Sequence, residues 1–486
     1  MKVLLVNPPL EGVDTKRCAN FPLGLAYLAR VIQEEGHEVE IADVFINGHS
    51  REEIEKIIQE GEYDIVGVTG IVSVLDYLVW ISRSVKKYSP STLILAGGAL
   101  ATSAPRIVLE NTQVDIAVIG EGELVIRDIL KVLKERKGFE KIEGIVYKNK
   151  NKEIVSQLPN QRIDNLDKIS FPAWELFEVE KYVNTPAPLL DLKWNFGKRW
   201  INIVSSRGCP FHCVFCGKTF GAITRVRSAE NILEEIKELI RRYQIEHINF
   251  CDDFFAADRN RLLKICDYIK NLDKKITWTA SIRVDSVDET VLDSMKKAGC
   301  LGFCLGVESG SQKILDNLNK NTKVETAKRA VLLSKKYKFH VHAAMMFGMT
   351  GENKQTVQES AEFIKSTGVF PQPFNYVTPL PGSKLYEDTK QRGLIKNEFE
   401  YLRTLKGSFF ESLKVNLTEM ETEELIKLKK QTEAELRRFY LKRHPFWGIK
   451  RFVVHLIYYG PSKAFQKLKE SLQVFQKHNY ENIKKV

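Results

Sequence analysis

Short apolar segments alternate with helical patterns in two stretches of the chain, and this alternation limits the possible folds more than any other feature. In residues 1–140, five β-branched-rich segments are bounded by Gly or Asp: KVLLVN, EVEIAD, DIVGVTG, TLILAGG and DIAVIGEG. Helical stretches such as PLGLAYLARVIQEEG separate them. Strands that alternate with helices predict a doubly wound parallel sheet, in which ligands bind beyond the carboxyl ends of the strands.

The alternation returns after residue 199, where six further segments predict strands: RWINIVSS, HINFCDD, TWTASI, LGFCLGVES, HVHAAMMFG and FNYVTPL. Six such units suit a partial (β/α)6 TIM-like barrel, whose active site lies at the C-terminal strand ends. We therefore predict an α/β protein in four parts. These are a doubly wound sheet at 1–140, a connector with prolines and polar turns at 141–195, a barrel at 196–400, and a helical, basic region at 401–486.

Composition adds a few limits. A chain of 486 residues is too long for one compact core. Its eight cysteines do not form a disulfide scaffold, and their clustering indicates metal binding in a reducing compartment. The N-terminus lacks a signal-peptide pattern, and no apolar stretch reaches the ~20 residues of a spanning helix. These observations predict a cytoplasmic protein.

Three cysteines, Cys209, Cys213 and Cys216, lie within eight positions in SSRGCPFHCVFCGKTFG, after a strand and an Arg-Gly turn. A 4Fe-4S cluster normally takes four thiolates, so three would leave one iron open to bind a substrate. A structural zinc site is the alternative, but it needs a fourth ligand. His212 is the only local candidate, and its position next to Cys213 makes it awkward to bring to the same metal.

The segment CPFHCVFC resembles the signature of the radical S-adenosylmethionine (SAM) enzymes. Further segments that resemble motifs of this superfamily follow in order: FCDDFF, ASIRVD, GVESGSQKIL, MMFGMTGE and TPLPGSKLYE. The resemblance implies that the amino and carboxylate groups of SAM chelate the open iron of a 4Fe-4S cluster. One electron then cleaves SAM to methionine and a 5′-deoxyadenosyl radical, which abstracts a hydrogen atom.

The same resemblance predicts the residues that contact SAM. Glu308 would hold the ribose or amino group, and Arg283 would pair with the carboxylate, as a guanidinium does well. The alternatives are a solvated loop acid for Glu308, a structural ion pair for Arg283 and a turn cap for one of two aspartates. The full predicted set is Phe215, Gly217, Asp252, Asp253, Arg283, Glu308 and Ser309. Four other cysteines are predicted to be buried core residues: Cys251, Cys266, Cys300 and Cys304.

The N-terminal segments NPP, FPLGLAYLAR, GHEVEIAD, DIVGVTG, AGGALAT and VIGEGE resemble the cobalamin-binding class of radical SAM enzymes. This implies cobalamin at the carboxyl edge of the sheet, with its nucleotide tail buried and its corrin facing the barrel. The predicted contacts are Pro9, Leu10, Thr69, Ser73, Gly97, Gly98, Gly120, Glu121 and Gly122.

Two departures from that class concern cobalt. The D-x-H-x-x-G motif with a cobalt-ligating histidine is absent, and the loop in its place is NPPLEG. Ala99 and Leu100 stand where relatives often have Pro-His. The apolar pair indicates either an unligated, more reactive cobalt or a domain that no longer binds the cofactor.

Residues 441–486 carry ten Lys and Arg against two Glu, a net charge of +8. Ile449, Phe452, Val453, Leu456 and Ile457 share one helical face there, and Phe465, Leu468, Leu472 and Phe475 form a second stripe. Two interpretations remain open: helices that pack on the barrel, or an interfacial anchor on the inner face of an anionic membrane. Nucleic-acid binding is not favoured, since no recognition module is visible.

Together these features predict a cobalamin-dependent radical SAM enzyme. It would methylate an unactivated carbon of a small-molecule substrate or rearrange the substrate's skeleton. The substrate would be a lipid if the tail is interfacial. A flavodoxin or ferredoxin would be the reductant. The alternatives are a cobalamin-independent cyclase or oxidase, which the resemblance to anaerobic magnesium-protoporphyrin ester cyclases suggests, and a non-enzymatic cluster protein at a membrane. Methylthiotransferases carry a second three-cysteine cluster near the N-terminus, where this chain has only Cys18. Sequence alone does not rank Cys300, Cys304 or Tyr376 as catalytic residues.

Overall fold

A computed structural model describes residues 1–10, 19–159, 162–185 and 198–447, together with residues 449, 453, 456 and 461. The predicted stripe residues Phe452 and Ile457, the whole second stripe, and Cys18 lie outside the described residues.

A seven-stranded sheet forms the N-terminal part, in the order β2-β1-β3-β4-β5-β6-β7. The strands β1 to β5 are parallel, and β6 and β7 add to one edge in antiparallel fashion. The first five strands have the 2-1-3-4-5 order of a doubly wound sheet, which places a ligand crevice between β1 and β3. The strands are β1 Lys2–Asn7, β2 Glu38–Asp43, β3 Ile65–Thr69, β4 Leu93–Gly97, β5 Ile116–Val118, β6 Ile145–Lys148 and β7 Ile154–Gln157.

The first half of the predicted connector is therefore part of this sheet. A polar turn at residues 149–152, in which Lys152 has a φ of 63°, joins β6 to β7. The second half of the connector packs back on the sheet domain through aromatic rings. The Phe21 ring lies 4.5 Å from that of Trp174 and 5.3 Å from that of Tyr182.

The second sheet has six parallel strands in the order β15-β14-β13-β12-β11-β8 and curls into a half-barrel. A two-stranded antiparallel ribbon, β9 and β10, stands apart from it. The strands are β8 Trp200–Ile203, β9 Ser206–Arg207, β10 Arg225–Val226, β11 His247–Phe250, β12 Thr277–Ile282, β13 Cys300–Glu308, β14 His340–Phe347 and β15 Asn375–Tyr376.

Helices follow most strands, and several begin at a side-chain cap. Ser228 caps α9, because its hydroxyl accepts a hydrogen bond from the Asn231 N–H. The helices are α1 Leu23–Glu34, α2 Val44–Asn47, α3 Arg51–Gly61, α4 Leu75–Tyr88, α5 Gly98–Ser103, α6 Pro105–Asn111, α7 Gly122–Lys134, α8 Val179–Val183, α9 Ala229–Tyr243, α10 Arg259–Lys270, α11 Glu289–Lys297, α12 Gln312–Asn317, α13 Val324–Lys336, α14 Lys354–Thr367, α15 Lys384–Gln391, α16 Glu398–Arg403 and α17 Thr422–Arg443.

One apolar core joins the two sheets. It includes Val3 and Ile65 of the first sheet, Ile203 and Trp278 of the second, and Leu425 of α17. Polar contacts cross the same boundary: the Asn202 side chain accepts a hydrogen bond from the Phe21 N–H at 2.7 Å and donates to the Phe21 carbonyl at 3.1 Å. The sheets therefore have a fixed relative position.

The start of the basic tail exposes an apolar stripe. Phe446, Ile449, Val453 and Leu456 are 70%, 62%, 44% and 37% exposed. Within the described residues, no helix is both long enough and apolar enough to cross a membrane.

Candidate cofactor sites

The three cysteines of the predicted cluster lie on the loop that follows β8 and β9, and glycine is required at its start. Gly208 has a φ of 82°, and a Cβ there would collide with the carbonyl oxygen of Ile223. No other residue tolerates this combination of a left-handed backbone and a close approach.

Asp252 and Asp253, at the end of β11, hold this loop. Asp252 accepts hydrogen bonds from the N–H and hydroxyl groups of both Ser205 and Ser206, including the Ser205 N–H at 2.6 Å and the Ser205 hydroxyl at 2.9 Å. Asp253 accepts from the Gly208 N–H at 3.0 Å. We predicted that both aspartates contact SAM. The geometry gives Asp252 a positioning role instead, because four donors already use its two oxygens.

The far side of the loop is fixed by the barrel. The Val214 N–H donates to the Leu318 carbonyl at 3.0 Å, and the Leu385 N–H donates to the Val214 carbonyl at 2.8 Å. Phe215 packs against a small apolar cluster that includes Leu318 and Leu385. Gly217 lies beside this contact, with its Cβ position 3.6 Å from the Pro381 carbonyl oxygen.

The thiols themselves suit a cluster better than a single metal ion. All three are free, and Cys209 and Cys213 are half-buried while Cys216 is exposed. Desolvation, together with the nearby Cys213 and Cys209 thiols, raises the pKa of Cys216 to about 11, as expected for three sulfurs that lie close together on one loop. The Nδ1 atom of His212 lies 3.1 Å from the Lys218 ammonium, so the structure does not favour the zinc alternative.

Glu308 lies at the carboxyl end of β13, close to the cysteines. Its φ of 66° is unusual for a residue other than glycine, and such strain concentrates at functional sites. It forms an ion pair of 2.7 Å with Lys320, a residue that sequence reasoning missed. Desolvation raises the pKa of Cys213, and among the charges that act on it are Lys320, Arg283 and Glu308, so all of these groups surround the loop.

Two other predicted SAM contacts are engaged within the protein. Arg283 pairs with Asp285 at 2.9 Å, and its guanidinium lies 3.4 Å from the centre of the Phe211 ring. This arrangement is the structural ion pair that was the alternative for Arg283. The Ser309 hydroxyl is buried, lies 3.1 Å from the Ser360 hydroxyl and accepts from the Ser311 N–H.

A cavity of about 140 Å³ lies between the sheet, where strands β1, β3, β4 and β5 line it, and helices α1 and α7. Six of the nine predicted cobalamin contacts line it: Thr69, Gly97, Gly98, Gly120, Glu121 and Gly122. The remaining three predicted contacts, Pro9, Leu10 and Ser73, are not among its lining residues. The other walls are mostly aliphatic, with Leu5, Leu25 and Leu95 among them. An apolar space of this kind fits the flat, apolar base of a cobalamin nucleotide tail.

Charged residues from both sheets meet at the rim of this cavity. Arg207 pairs with Glu121 at 2.8 Å and with Glu123 at 2.6 Å, and Arg225 pairs with Glu121 at 2.6 Å. Desolvation raises the pKa of Glu121, but the hydrogen bonds and charges of Arg225 and Arg207 outweigh this effect, so the pKa is lowered. Because Arg207 precedes Cys209 by two residues, this interdomain ion cluster links the cavity to the cysteine loop.

The concave face of the half-barrel is polar and accessible. Ser281, Cys304 and His342 are in register on three neighbouring strands and therefore share a face. Ser281 is exposed, and the other two are half-buried. Desolvation lowers the pKa of His342, which favours its neutral form.

The prediction of four core cysteines is confirmed for two of them. Cys266 and Cys300 are buried in the core. The prediction was wrong for Cys251, which is exposed, and for Cys304, which is half-buried on the concave face. Residues four apart on a regular strand face the same side, but the register shift between Cys300 and Gly302 inserts one residue into β13, so Cys304 faces away from the core.

Comparison with known proteins agrees with this geometry. The family model of the Radical SAM superfamily matches residues 203–364, and that of the B12 binding domain matches residues 19–130. The chain is 33% identical over 392 residues to a protein of Pyrococcus horikoshii named uncharacterized methyltransferase PH0819, covering 80% of this chain and 83% of that protein. The chain belongs to the cobalamin-binding class of the radical SAM superfamily. Its cofactors are therefore a 4Fe-4S cluster, SAM and cobalamin, and the predicted enzyme class is confirmed.

Two further similarities are informative. The chain is 26% identical over 397 residues to the anaerobic magnesium-protoporphyrin IX monomethyl ester cyclase of Rubrivivax gelatinosus, covering 80% of this chain and 70% of that protein. It also resembles the solved structure of the cobalamin-dependent SAM radical enzyme OxsB, with a TM-score of 0.71, 16% identity, and coverage of 98% of this chain and 75% of that one. This likeness confirms the predicted fold of a doubly wound sheet followed by a partial barrel.

Proposed function

We propose that this radical SAM enzyme transfers a methyl group to carbon in a small organic substrate. The observation that carries the proposal is that both domains contribute to the wall of one cavity, next to the cysteine loop. Arg207 and Phe220 of the barrel line the cobalamin cavity together with Gly120 and Gly122 of the sheet domain. Cobalamin would supply a transferable methyl group and SAM the 5′-deoxyadenosyl radical, so a substrate between them meets both.

The roles of individual residues follow from this arrangement. Cys209, Cys213 and Cys216 would hold the cluster, while Asp252 and Asp253 fix the loop that carries them. Glu308, Phe215, Gly217 and Ser309 surround the space for SAM. The glycines and Thr69 at the cavity leave room for cobalamin, and Pro9, Leu10 and Ser73 remain predicted contacts outside the cavity lining. We assign residues 1–140 to cobalamin, 196–400 to the radical SAM core, and the rest to the connector and the C-terminal region.

The concave face supports a polar substrate. Ser281, Cys304 and His342 offer hydrogen-bonding groups in one layer on the accessible face of the half-barrel. Cys304 also ranks above Cys300 as a residue near the chemistry, because Cys300 is buried in the core. Electrons would arrive from a flavodoxin or ferredoxin at the exposed side of the loop near Cys216.

Methyl transfer and ring formation are distinguished by an assay that needs no substrate. The protein would be purified without oxygen, reconstituted with iron, sulfide and hydroxocobalamin, reduced, and given SAM labelled in its methyl group. A methyltransferase forms labelled methylcobalamin and S-adenosylhomocysteine, about one per chain. A chain with four irons and bound corrin but no label on the corrin would instead favour a cyclase-type reaction.

The variant Gly97→Leu tests the cavity. A Cβ at Gly97 would have no atom within 4 Å, so the Cβ of a leucine side chain would enter the open cavity without a steric clash. We expect this variant to keep its iron and sulfide and to lose at least about 100-fold in corrin affinity, while Gly97→Ala binds nearly normally. Equal corrin binding by both variants would place cobalamin elsewhere.

We further propose that the exposed stripe of the tail contacts an anionic membrane surface. Phe446, Ile449, Val453 and Leu456 supply the apolar face, and the surrounding net charge of +8 suits acidic lipids. The variant with Ile449, Val453 and Leu456 changed to Ser should lose sedimentation with phosphatidylglycerol vesicles. Failure of the unaltered protein to sediment with these vesicles contradicts the proposal.

A further inference from the structure

A buried histidine on β11 is hydrogen-bonded at both ring nitrogens, and the roles described so far do not use it. The His247 Nδ1 atom lies 2.9 Å from the Thr277 hydroxyl, and its Nε2 atom lies 3.1 Å from the Thr279 hydroxyl. His247 and Thr279 are fully buried. Because Thr279 precedes Ser281 by two residues on β12, this network forms the floor beneath the polar concave face.

The network continues beyond the histidine in both directions. At one end, the Lys198 ammonium donates to the Thr277 hydroxyl oxygen at 2.9 Å. At the other end, the Thr279 hydroxyl donates to the Asn249 Oδ1 atom at 3.0 Å, and the Asn249 amide donates to the Cys251 sulfur at 3.3 Å. Cys251 is exposed, so Asn249 is the member of the network that lies next to the open face.

Lys198 sets the direction of these hydrogen bonds, because an ammonium group only donates. The Thr277 oxygen accepts from it, and the Thr277 hydrogen is then directed to His247 Nδ1, which at 2.9 Å is closer than the Glu246 carbonyl at 3.3 Å. Desolvation and the charge of Lys198 lower the pKa of His247 to about 3, so its ring is neutral and carries one proton. That proton is therefore on Nε2 and donates to the Thr279 oxygen.

This direction decides what the floor presents to a ligand. Since the Asn249 Oδ1 atom accepts the Thr279 hydroxyl, the amide points its N–H groups toward Cys251 and the concave face. The strand residues in register with Asn249 include no acid, lysine or arginine: they are Asn202, Thr279, Gly302 and His340. Burial of a charged group without a partner is costly, so the floor suits a neutral acceptor.

We propose that Asn249 binds an uncharged acceptor oxygen of the substrate, such as a carbonyl or ether oxygen, and that Lys198 and His247 are positioning residues that hold its amide in this orientation. The inference rests on the proposed function and adds the chemical class of the group that the substrate directs into the half-barrel. Reversal of the network would present the amide oxygen instead and would favour a donor group. A lysine at the opposite end of the network thus determines which substrate group is accepted.

The test compares two five-membered rings of similar size: cyclopentanone, which only accepts hydrogen bonds, and pyrrole, which donates through its N–H group. Each is added in increasing concentration to the reconstituted, cofactor-loaded enzyme, and alkylation of Cys251 by iodoacetamide is followed by mass spectrometry. Cys251 serves only as a reporter of occupancy beside Asn249. We expect cyclopentanone to halve the alkylation rate at an about 5-fold lower concentration than pyrrole, the ratio that one ordinary hydrogen bond supports.

Two variants break the network far from Asn249. Lys198→Met should reduce the preference for cyclopentanone to below about 2-fold, since the direction of the hydrogen bonds is no longer set. Thr277→Val removes the hydroxyl between Lys198 and His247, keeps the side-chain shape, and should have the same effect if Lys198→Met misfolds. Lys274→Met is the matched control, because the Lys274 ammonium lies near the same end of β12 and donates to the Gln244 carbonyl at 3.2 Å, outside the network. This variant should keep the full preference.

Three results would overturn the inference: equal protection by both rings in the unaltered enzyme, protection by neither ring, or an unchanged preference in Lys198→Met and Thr277→Val. Loss of the preference in Lys274→Met as well would also contradict it. The measurement needs no turnover, so its outcome is separate from that of the proposed function. An enzyme that prefers cyclopentanone but forms no labelled methylcobalamin would refute methyl transfer and support the role of Asn249.

Discussion

Two buried groups of ions flank the cysteine loop, and they are built differently. On the cobalamin side, Arg207 and Arg225 pair with Glu121 and Glu123. The arginines belong to the barrel and the glutamates to the sheet domain, so every pair crosses the domain boundary. On the barrel side, one lysine faces one glutamate within a single domain. The first group is a multidentate clamp between two domains, and the second is a single ion pair within one domain.

The difference follows from the side chains used. A guanidinium binds two carboxylates at fixed angles and is hard to displace, whereas an ammonium is a compact charge that accepts any carboxylate in reach. The clamp therefore suits a fixed contact between the two domains, whereas the pair consists of one ionic contact inside the barrel.

The largest effect is expected from breaking the clamp. Arg207→Met leaves Glu123 buried without its cation, and removal of one partner from a buried pair costs about 3–5 kcal/mol. Hydrogen exchange should become faster in peptides that cover residues 119–124 and 205–226, and corrin affinity should fall. Exchange at the rate of the unaltered protein would mean that the clamp does not stabilise the interface.

Arg227→Met is the control for this comparison. Arg227 pairs with Glu235 at 2.5 Å and is as deeply buried as Arg207, but both residues belong to the barrel. This variant should lose similar stability in the barrel and keep its corrin affinity. A comparable loss of corrin binding in both variants would show that any buried arginine matters equally.

A smaller effect is expected from Glu352, a buried acid at the end of β14 whose donors are the Gly348 and Met349 N–H groups. Burial raises its pKa to about 7. Between pH 4.5 and 7 the folded state then holds a proton that the unfolded state has released, so stability should fall as pH rises, by at most about 3 kcal/mol. Glu352→Gln should remove that fall from urea-unfolding midpoints measured between pH 5 and 8. If the stability of the Glu352→Gln variant falls with pH as in the unaltered protein, other groups cause the fall.

The smallest effect should come from an exposed link. Arg403 pairs with Asp76 at 2.7 Å, with side chains 45% and 19% exposed, and it too joins the sheet domain to a distant part of the chain. Pairs in contact with water contribute below about 1 kcal/mol. Arg403→Ala should therefore leave both the urea midpoint and corrin affinity nearly unchanged, and a loss comparable to that of Arg207→Met would contradict the role given to burial.

Sequence patterns predicted most strands and the three cysteines because strand periodicity and ligand spacing are local properties. They missed β6 and β7, although the polar run between IVYK and EIVSQ is typical of a turn. Lys320 carried no such signal. It lies between Asn319 and Asn321, both with left-handed backbones, in a turn that brings it back to Glu308.

The aspartates after β11 illustrate the same limit. Their position at a strand end was predictable, but the direction of the Asp252 oxygens depends on how β8 and β11 pair, through Ile203 and Phe250. Residue identity at a strand end thus predicts that a group is near the site, and the pairing of strands decides whether it touches a ligand or supports a loop.

The contact between Asn202 and Phe21 has a practical consequence. A fragment that starts at residue 198 would contain all three cysteines and every predicted SAM contact. It would lack the peptide group that occupies the Asn202 amide and both carboxylates that bind Arg207. The iron–sulfur half is therefore not a separable module. We expect a chimera that exchanges this half between relatives to fold only when the N-terminal sheet domain is exchanged together with it.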